Sequence, residues 1–281
     1  MSSRQSRLLS RSGALCVLVL SVCVVARSSD GEEAQLSDAE KEEFLRTAEI
    51  LDRQLLPMGV TQSARITLSD GVITHDAHLQ TVDIYKKKFR TSERTFFNFR
   101  DTYRYNIAAY RLDRLLGLGM VPVSVLRTVN RKPAAVTWWV DNTMMSLAER
   151  HSGRVVPPDV PLWNDQTFQG RVFTQLIHDT DAHLNNHLID TDWKLWMIDF
   201  TRAFRTFKKL FNPRSLDTID RRLLTSLRSL TAESLEQATG EYLDARERKA
   251  ILARRDLLLE FFETRIEANG EAAVICDRPG H

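Results

Sequence analysis

Apolar positions recur along the chain with two different periods. Between residues 60 and 142 they alternate or form short runs; beyond about 160 they repeat every three to four residues. The first pattern predicts strands and the second predicts helices. A helix is expected over 37–54, where Ser37 with Glu40 makes a capping box ahead of Phe44, Leu45, Ile50 and Leu51, and where Pro57 and Gly59 end it. Strands are expected over 64–68 and 79–89, around a Ser69-Asp70-Gly71 turn. A helix over 103–116 carries a broad face of Ile107, Ala108, Leu112 and Leu116 and stops at Gly117. A further strand over 135–140 is followed by an Asp141-Asn142 turn, and Pro157, Pro158 and Pro161 mark a hinge. Helices are then expected over 166–177, 216–230, 232–238 and 243–268. There is no internal repeat.

The N-terminus changes this picture. Arg4, Arg7 and Arg11 precede an apolar run over 14–25 that closes on Val24-Val25-Ala26, the pattern of an export signal cleaved after Ala26. The run is short for a membrane span, which needs about 20 residues. An uncleaved anchor is the alternative. Residues 27–43 are acidic and Ser-rich, a solvated linker into the first helix. The expected organisation is a signal peptide over 1–26, a linker and helix over 27–59, a smaller sheet-bearing lobe over 60–142, and a helical lobe over 143–281. The expected localisation is exported, periplasmic or secreted.

Composition sets limits. The chain has 281 residues, 43% hydrophobic and 27% charged, enough for two lobes around one core. Lys and Arg number 39 against 37 acids, and removal of 1–26 takes three arginines and no acid, leaving 36 against 37. So balanced a charge argues against nucleic acid as the partner. After cleavage only Cys276 remains of the cysteines, so no internal disulfide can form; its Gly/Pro-containing surroundings predict an exposed thiol.

The chemistry concentrates in 177–204, IHDTDAHLNNHLIDTDWKLWMIDFTRAF. Asp181 is followed five residues later by Asn186, then by a short hairpin turning at Asp190-Thr191-Asp192 and ending on Asp199. A hairpin brings its two ends together, so Asp199 is expected beside Asn186. One carboxylate to accept a hydroxyl proton, and a carboxylate with an amide as hard oxygen ligands for Mg²⁺, suit phosphoryl transfer. Val82, Ile84, Lys86 and Lys88 share one strand face, which points the lysines towards a cleft or leaves them as a solvated edge. His178, His183 and His187 raise the question of a zinc site, since His183 and His187 stand four apart and would share a face on a helix, but no Cys is nearby and no Glu is placed as in HExxH. Trp193 and Trp196 flank the hairpin and suit packing. The basic residues from Arg202 to Lys209 contact phosphates, contact an acidic substrate, or form a solvated face.

The string DTDAHLNNHLI resembles the catalytic loop of the bacterial HipA-type kinases, and the hairpin ending in WMIDF is similar to the metal-binding segment of HipA-like and phosphatidylinositol-kinase-like proteins. The segment YNIAAYRLDRLLGLGMVP resembles the αC-helix region of the secretory-pathway kinases of the Golgi. The resemblance spans roughly 64–205 and implies an α+β, two-lobed, protein-kinase-like fold, in a bacterial-looking exported member. It implies ATP and Mg²⁺ as cofactors, Asp181 as base, Asn186 and Asp199 as metal ligands, and Lys86 as the phosphate-gripping lysine, with Lys88 as fallback. Gly71 takes the place of the phosphate-loop glycine, and His183 braces the catalytic loop. The sequence departs from the pattern at Asn106, where the helix usually offers a Glu, and at Phe200-Thr201, where a glycine usually follows the metal-binding Asp. Asp101 or Asp113 could take over from that Glu. The expected activity is transfer of the ATP γ-phosphoryl group to a hydroxyl on a protein, sugar or lipid head group. An exported pseudokinase that binds nucleotide or protein is the alternative, and transfer of another part of the nucleotide is a third reading.

Overall fold

The structure is a computed structural model that describes residues 36–56, 63–90 and 95–277. The expected export signal and most of the expected linker lie outside them. Helix α1 (Asp38–Thr47) opens with the Ser37–Glu40 capping box and is shorter than its apolar pattern predicts. Arg127 closes it from outside by donating to the carbonyls of Leu45 and Ala48, at 3.0 and 2.7 Å. The chain then turns into strand β1 (Glu49–Leu55), which pairs antiparallel with β2 (Ala64–Ser69). Leu51, expected on a helix face, and Leu55 further along are exposed on this edge strand. The sheet therefore begins at Glu49, ahead of the boundary expected at 60.

Strand β2 pairs with β3 (Thr74–Gln80) across a turn in which Asp70 accepts from the N–H groups of Val72 and Ile73. The sheet is completed by β6 (Ser124–Val129) and β7 (Lys132–Trp138), in the order β1-β2-β3-β7-β6. Ala64, Ile66 and Leu68 alternate inward, with Ala77, Leu79, Val125 and Val136 on neighbouring strands. Helix α2 (Arg104–Leu116) packs on β6 and β7, burying Ala108, Ala109, Leu112 and Leu116. It ends at Gly117 with φ of 70°.

The strand expected over 79–89 is two strands in two sheets. The side-chain oxygen of Gln80 accepts from the N–H groups of Thr81 and Val82, at 3.0 and 3.3 Å, and this turn breaks the extended run. Strand β4 (Asp83–Arg90) leaves the five-stranded sheet and, among the described residues, pairs only with β5 (Thr95–Thr102) as a separate two-stranded ribbon. Lys86 and Lys88 lie on this ribbon and are exposed, with their ammonium groups near the rings of Phe89 and Phe97.

Strand β8 (Thr143–Ser146) leads into α3 (Leu147–Gly153), and α4 (Val160–Ile177) starts at the Asp159 cap with Pro161 in its first turn. Strands β9 (His187–Asp190) and β10 (Leu195–Met197) form a hairpin that adds β8 to make a three-stranded sheet. Helices α5 (Arg221–Ser229), α6 (Ala232–Thr239) and α7 (Ala245–Asn269) follow. Arg254 of α7 is fully buried and donates to the carbonyls of Leu176, Arg205 and Phe207, tying α4 to the segment after Asp199. Cys276 is half-buried instead of exposed. It sits on β12 (Ile275–Cys276), paired with β11 (Ile219–Asp220), and accepts from the Gln169 amide.

Candidate active site between the sheet and the catalytic loop

Helix α4 ends at His178, which adopts the left-handed conformation with φ of 52° and so turns the chain into the 178–186 loop. The loop holds itself. The Asp179 carboxylate accepts from the N–H of Asp181 at 3.1 Å, and the Asp181 carbonyl accepts from the N–H of His183 at 2.8 Å. The His183 carbonyl in turn accepts from Asn186 N–H at 2.9 Å. The His183 ring also meets the Asp181 carboxylate at 3.1 Å, the bracing expected of it.

The hairpin then returns the chain. Met197 pairs with His187, and the next N–H, of Ile198, donates to the Asn186 carbonyl at 2.9 Å. Asn186 is thus in register with the residue before Asp199. Asp199 itself has φ of 59°, in the left-handed region that is uncommon for non-glycine residues and that Asp enters more readily than most. On the far side Phe204 N–H donates to the Ile177 carbonyl at 2.7 Å, closing the loop onto the end of α4.

Asn186 and Asp199 open into one cavity of about 270 Å³ between the five-stranded sheet and the hairpin. Its walls include Val121, Trp138, Leu188 and Ile198, and its polar lining includes His78, Gln80 and Asn106. Burial holds the His78 imidazolium back to a pKa of about 4, so the ring is neutral near pH 7. The Asn106 side-chain oxygen accepts from Phe200 N–H at 2.8 Å, joining α2 to the residue after Asp199.

Acidic groups crowd beside this cavity. Burial raises the pKa of Asp199, and the charges of Asp101 and Asp181 add to the rise while Arg202 opposes it. Asp179 is pushed up to about 7, again mainly by burial, with Asp181 and Asp199 contributing. Arg202 bridges two of these acids, donating to Asp101 at 2.7 Å and to Asp181 at 2.9 Å. Among the described residues no cluster of three His, Cys, Asp or Glu could hold a metal alone. The oxygens of Asn186 and Asp199 nevertheless suit a hard divalent cation that completes its shell with water and phosphate oxygens.

The structure therefore brings Asn186 and Asp199 to one cavity, with Asp181 near enough to perturb Asp199. It does not bring Lys86, Lys88 or Gly71 there. The lysines follow the ribbon away because of the Gln80 turn, and Gly71 is at the exposed tip of the β2–β3 turn, with φ of 88°. Leu56, after β1, and Ser63, before β2, border the cavity. Sequence reasoning missed His78 and Gln80, although they stand two apart on one strand face, the signal used for Lys86 and Lys88. Asp113 does not substitute for the helix acid. Its buried carboxylate accepts from the N–H groups of Gly119, Met120 and Val121 and shapes the turn after α2.

No protein-family model and no curated protein matches the chain. Solved structures do match. A hydra Fam20 with sugar superposes with a TM-score of 0.63 at 15% identity, over 85% of this chain and 92% of that one. The Golgi casein kinase with Mn/ADP bound gives 0.63 at 14% identity, over 87% and 80%. The Helicobacter pylori proinflammatory kinase CtkA gives 0.50 at 11% identity, over 80% and 98%. The chain has the α+β, kinase-like fold of these proteins, a sheet-bearing part joined to a helical part. Among the described residues no helix is long and apolar enough to cross a membrane.

Proposed function

We propose that the chain is an exported, ATP- and Mg²⁺-dependent phosphotransferase that acts on a hydroxyl group. The observation that carries this reading is the shared cavity of Asn186 and Asp199, with Asp181 on a self-braced loop near enough to perturb Asp199. The fold it shares with the Golgi casein kinase, which has been seen with Mn/ADP, supports a nucleotide in this cavity. The HipA-type character of DTDAHLNNHLI supports the assignment of the loop. The basic, apolar and small-residue order of 1–26 supports export.

In this reading Asn186 and Asp199 hold the cation, whose charge neutralises phosphate oxygens. Asp181 orients the acceptor hydroxyl and takes its proton as the acceptor oxygen bonds to the γ-phosphorus. The bond from that phosphorus to the β–γ bridging oxygen breaks, and ADP leaves. Positioning and charge neutralisation supply most of the rate.

Incubation with Mg·ATP tests the proposal. A ligand of the native state must raise the melting temperature, and transfer to the chain's own hydroxyls adds the mass of a phosphate. A melting temperature indifferent to Mg·ATP rejects the site. The neutral Gln80 and Asn106 in the cavity favour a second reading, an exported pseudokinase, for which binding without transfer to any acceptor is the expected result.

A further inference from the structure

Phosphoryl transfer places negative charge on three equatorial oxygens, and enzymes of this type meet it with side-chain cations as well as metal. This cavity presents none from its sheet. Among the described residues its lining holds no Lys or Arg; the strand that faces it offers His78, neutral near pH 7, and Gln80. Lys86 and Lys88 are on the outer ribbon.

A cation that does reach Asp181 comes from the segment after Asp199. Arg202, three residues past Asp199, sends its Nε–H to Asp101 at 2.7 Å and an Nη–H to Asp181 at 2.9 Å. The Asp101 side chain is 3% exposed, so its end of the bridge is a buried anchor. The Arg202 side chain is itself 37% exposed. Of its five N–H groups these two bonds use two, and the others have no hydrogen-bond partner among the described residues. Arg202 also lies near enough to Asp199 to stabilise its charge. The side chain is therefore held, directional and partly open to solvent, bonded to Asp181 and close to Asp199.

We infer that Arg202 contacts the terminal phosphate of the nucleotide and takes the place of the strand lysine that this cavity lacks. The inference rests on the nucleotide reading of the cavity. Asp101 fixes the guanidinium from behind, and the bond to Asp181 sets its free N–H groups beside the position where the acceptor hydroxyl meets the γ-phosphate. The selectivity that follows is for ATP over ADP, because only the longer nucleotide carries the phosphate nearest Asp181.

Equilibrium binding of ATP, ADP and adenosine to the full chain with Mg²⁺, for the unaltered protein, Arg202→Gln and Arg202→Lys, tests this. Arg202→Gln is expected to weaken ATP by about tenfold or more, the scale of one charge-assisted hydrogen bond, and to leave ADP and adenosine within about twofold. Arg202→Lys is expected to fall between, since an ammonium keeps the charge without the planar fork; it carries the test if the Gln variant does not fold. Unchanged ATP affinity in both variants overturns the inference alone, as does equal weakening of all three ligands, which marks a structural role. A fall in turnover with ATP affinity intact also overturns it, because Arg202 would then act only by positioning Asp181. Failure of the unaltered chain to bind ATP or ADP overturns the nucleotide reading, and this inference with it.

Discussion

The side-chain oxygen of Asn106, on α2, accepts a hydrogen bond of 2.8 Å from the backbone N–H of Phe200, the residue that follows Asp199. Both groups are buried. A Glu at this helix position would suit a strand lysine; Asn suits the backbone itself, and it links the sheet-bearing half to the Asp199 segment without any charge. Replacing Asn106 with Leu leaves the Phe200 N–H without its acceptor. The expected cost is about 1–3 kcal/mol, read as a lower urea midpoint, together with weaker Mg·ATP binding. An unchanged midpoint would show the bond to be dispensable.

Asp181 and Asp199 are assigned separable roles. Asp199→Ala is expected to abolish Mg·ATP binding, because it removes a charged ligand from the cavity. Asp181→Ala is expected to keep nucleotide affinity and to lose transfer by about 100-fold or more, the usual scale for a general base. Titration calorimetry and single-turnover assays on the two variants check this. Equal nucleotide affinity and equal activity in both variants and the unaltered chain would reject the assignments.

Lys86 and Lys88 are expected to be silent. Their ribbon is paired only with itself, and both side chains are exposed. The double substitution Lys86→Ala/Lys88→Ala should leave ATP affinity within about twofold and stability within about 0.5 kcal/mol, as surface changes usually do. A tenfold loss of ATP affinity would restore a lysine to the site.

Asp179 predicts a pH dependence. Its carboxyl is raised by burial from 3.8 to about 7 in the folded chain. The folded state thus holds a proton that the unfolded state releases, so this contribution to stability is complete below about pH 4 and is lost as pH rises through about 7. Asp179→Asn keeps an oxygen for the Asp181 N–H and removes the titration. In metal-free buffer its melting temperature should exceed that of the unaltered chain by an amount that grows between pH 4 and 7 and levels off above, reaching about 3 °C or more. Parallel pH profiles for the two proteins would contradict the burial of this acid.

Much of the site was legible because its spacing is local. Asp181 and Asn186 share one loop, and a turn at Asp190–Asp192 needs only a few residues to bring Asp199 back. The helix over 103–116 with its glycine stop was legible for the same reason. The lysines were misplaced because alternation continues across Thr81 and Val82, and only a side-chain cap from Gln80, invisible to periodicity, sends the chain into another sheet. The first helix was drawn too long because Ile50 and Leu51 extend its apolar phase, whereas Arg127, far along the chain, closes its carbonyls and β2 recruits the following residues.

By itself the sequence determined the Asp181–Asn186 spacing, the hairpin and the balance of strands before helices, since each depends on bonds between residues close in the chain. Tertiary structure alone decided which cations face the acids. It set Arg202 between Asp101 and Asp181 and carried Lys86 away, because an ion pair depends on distances through space that no repeat along the chain encodes.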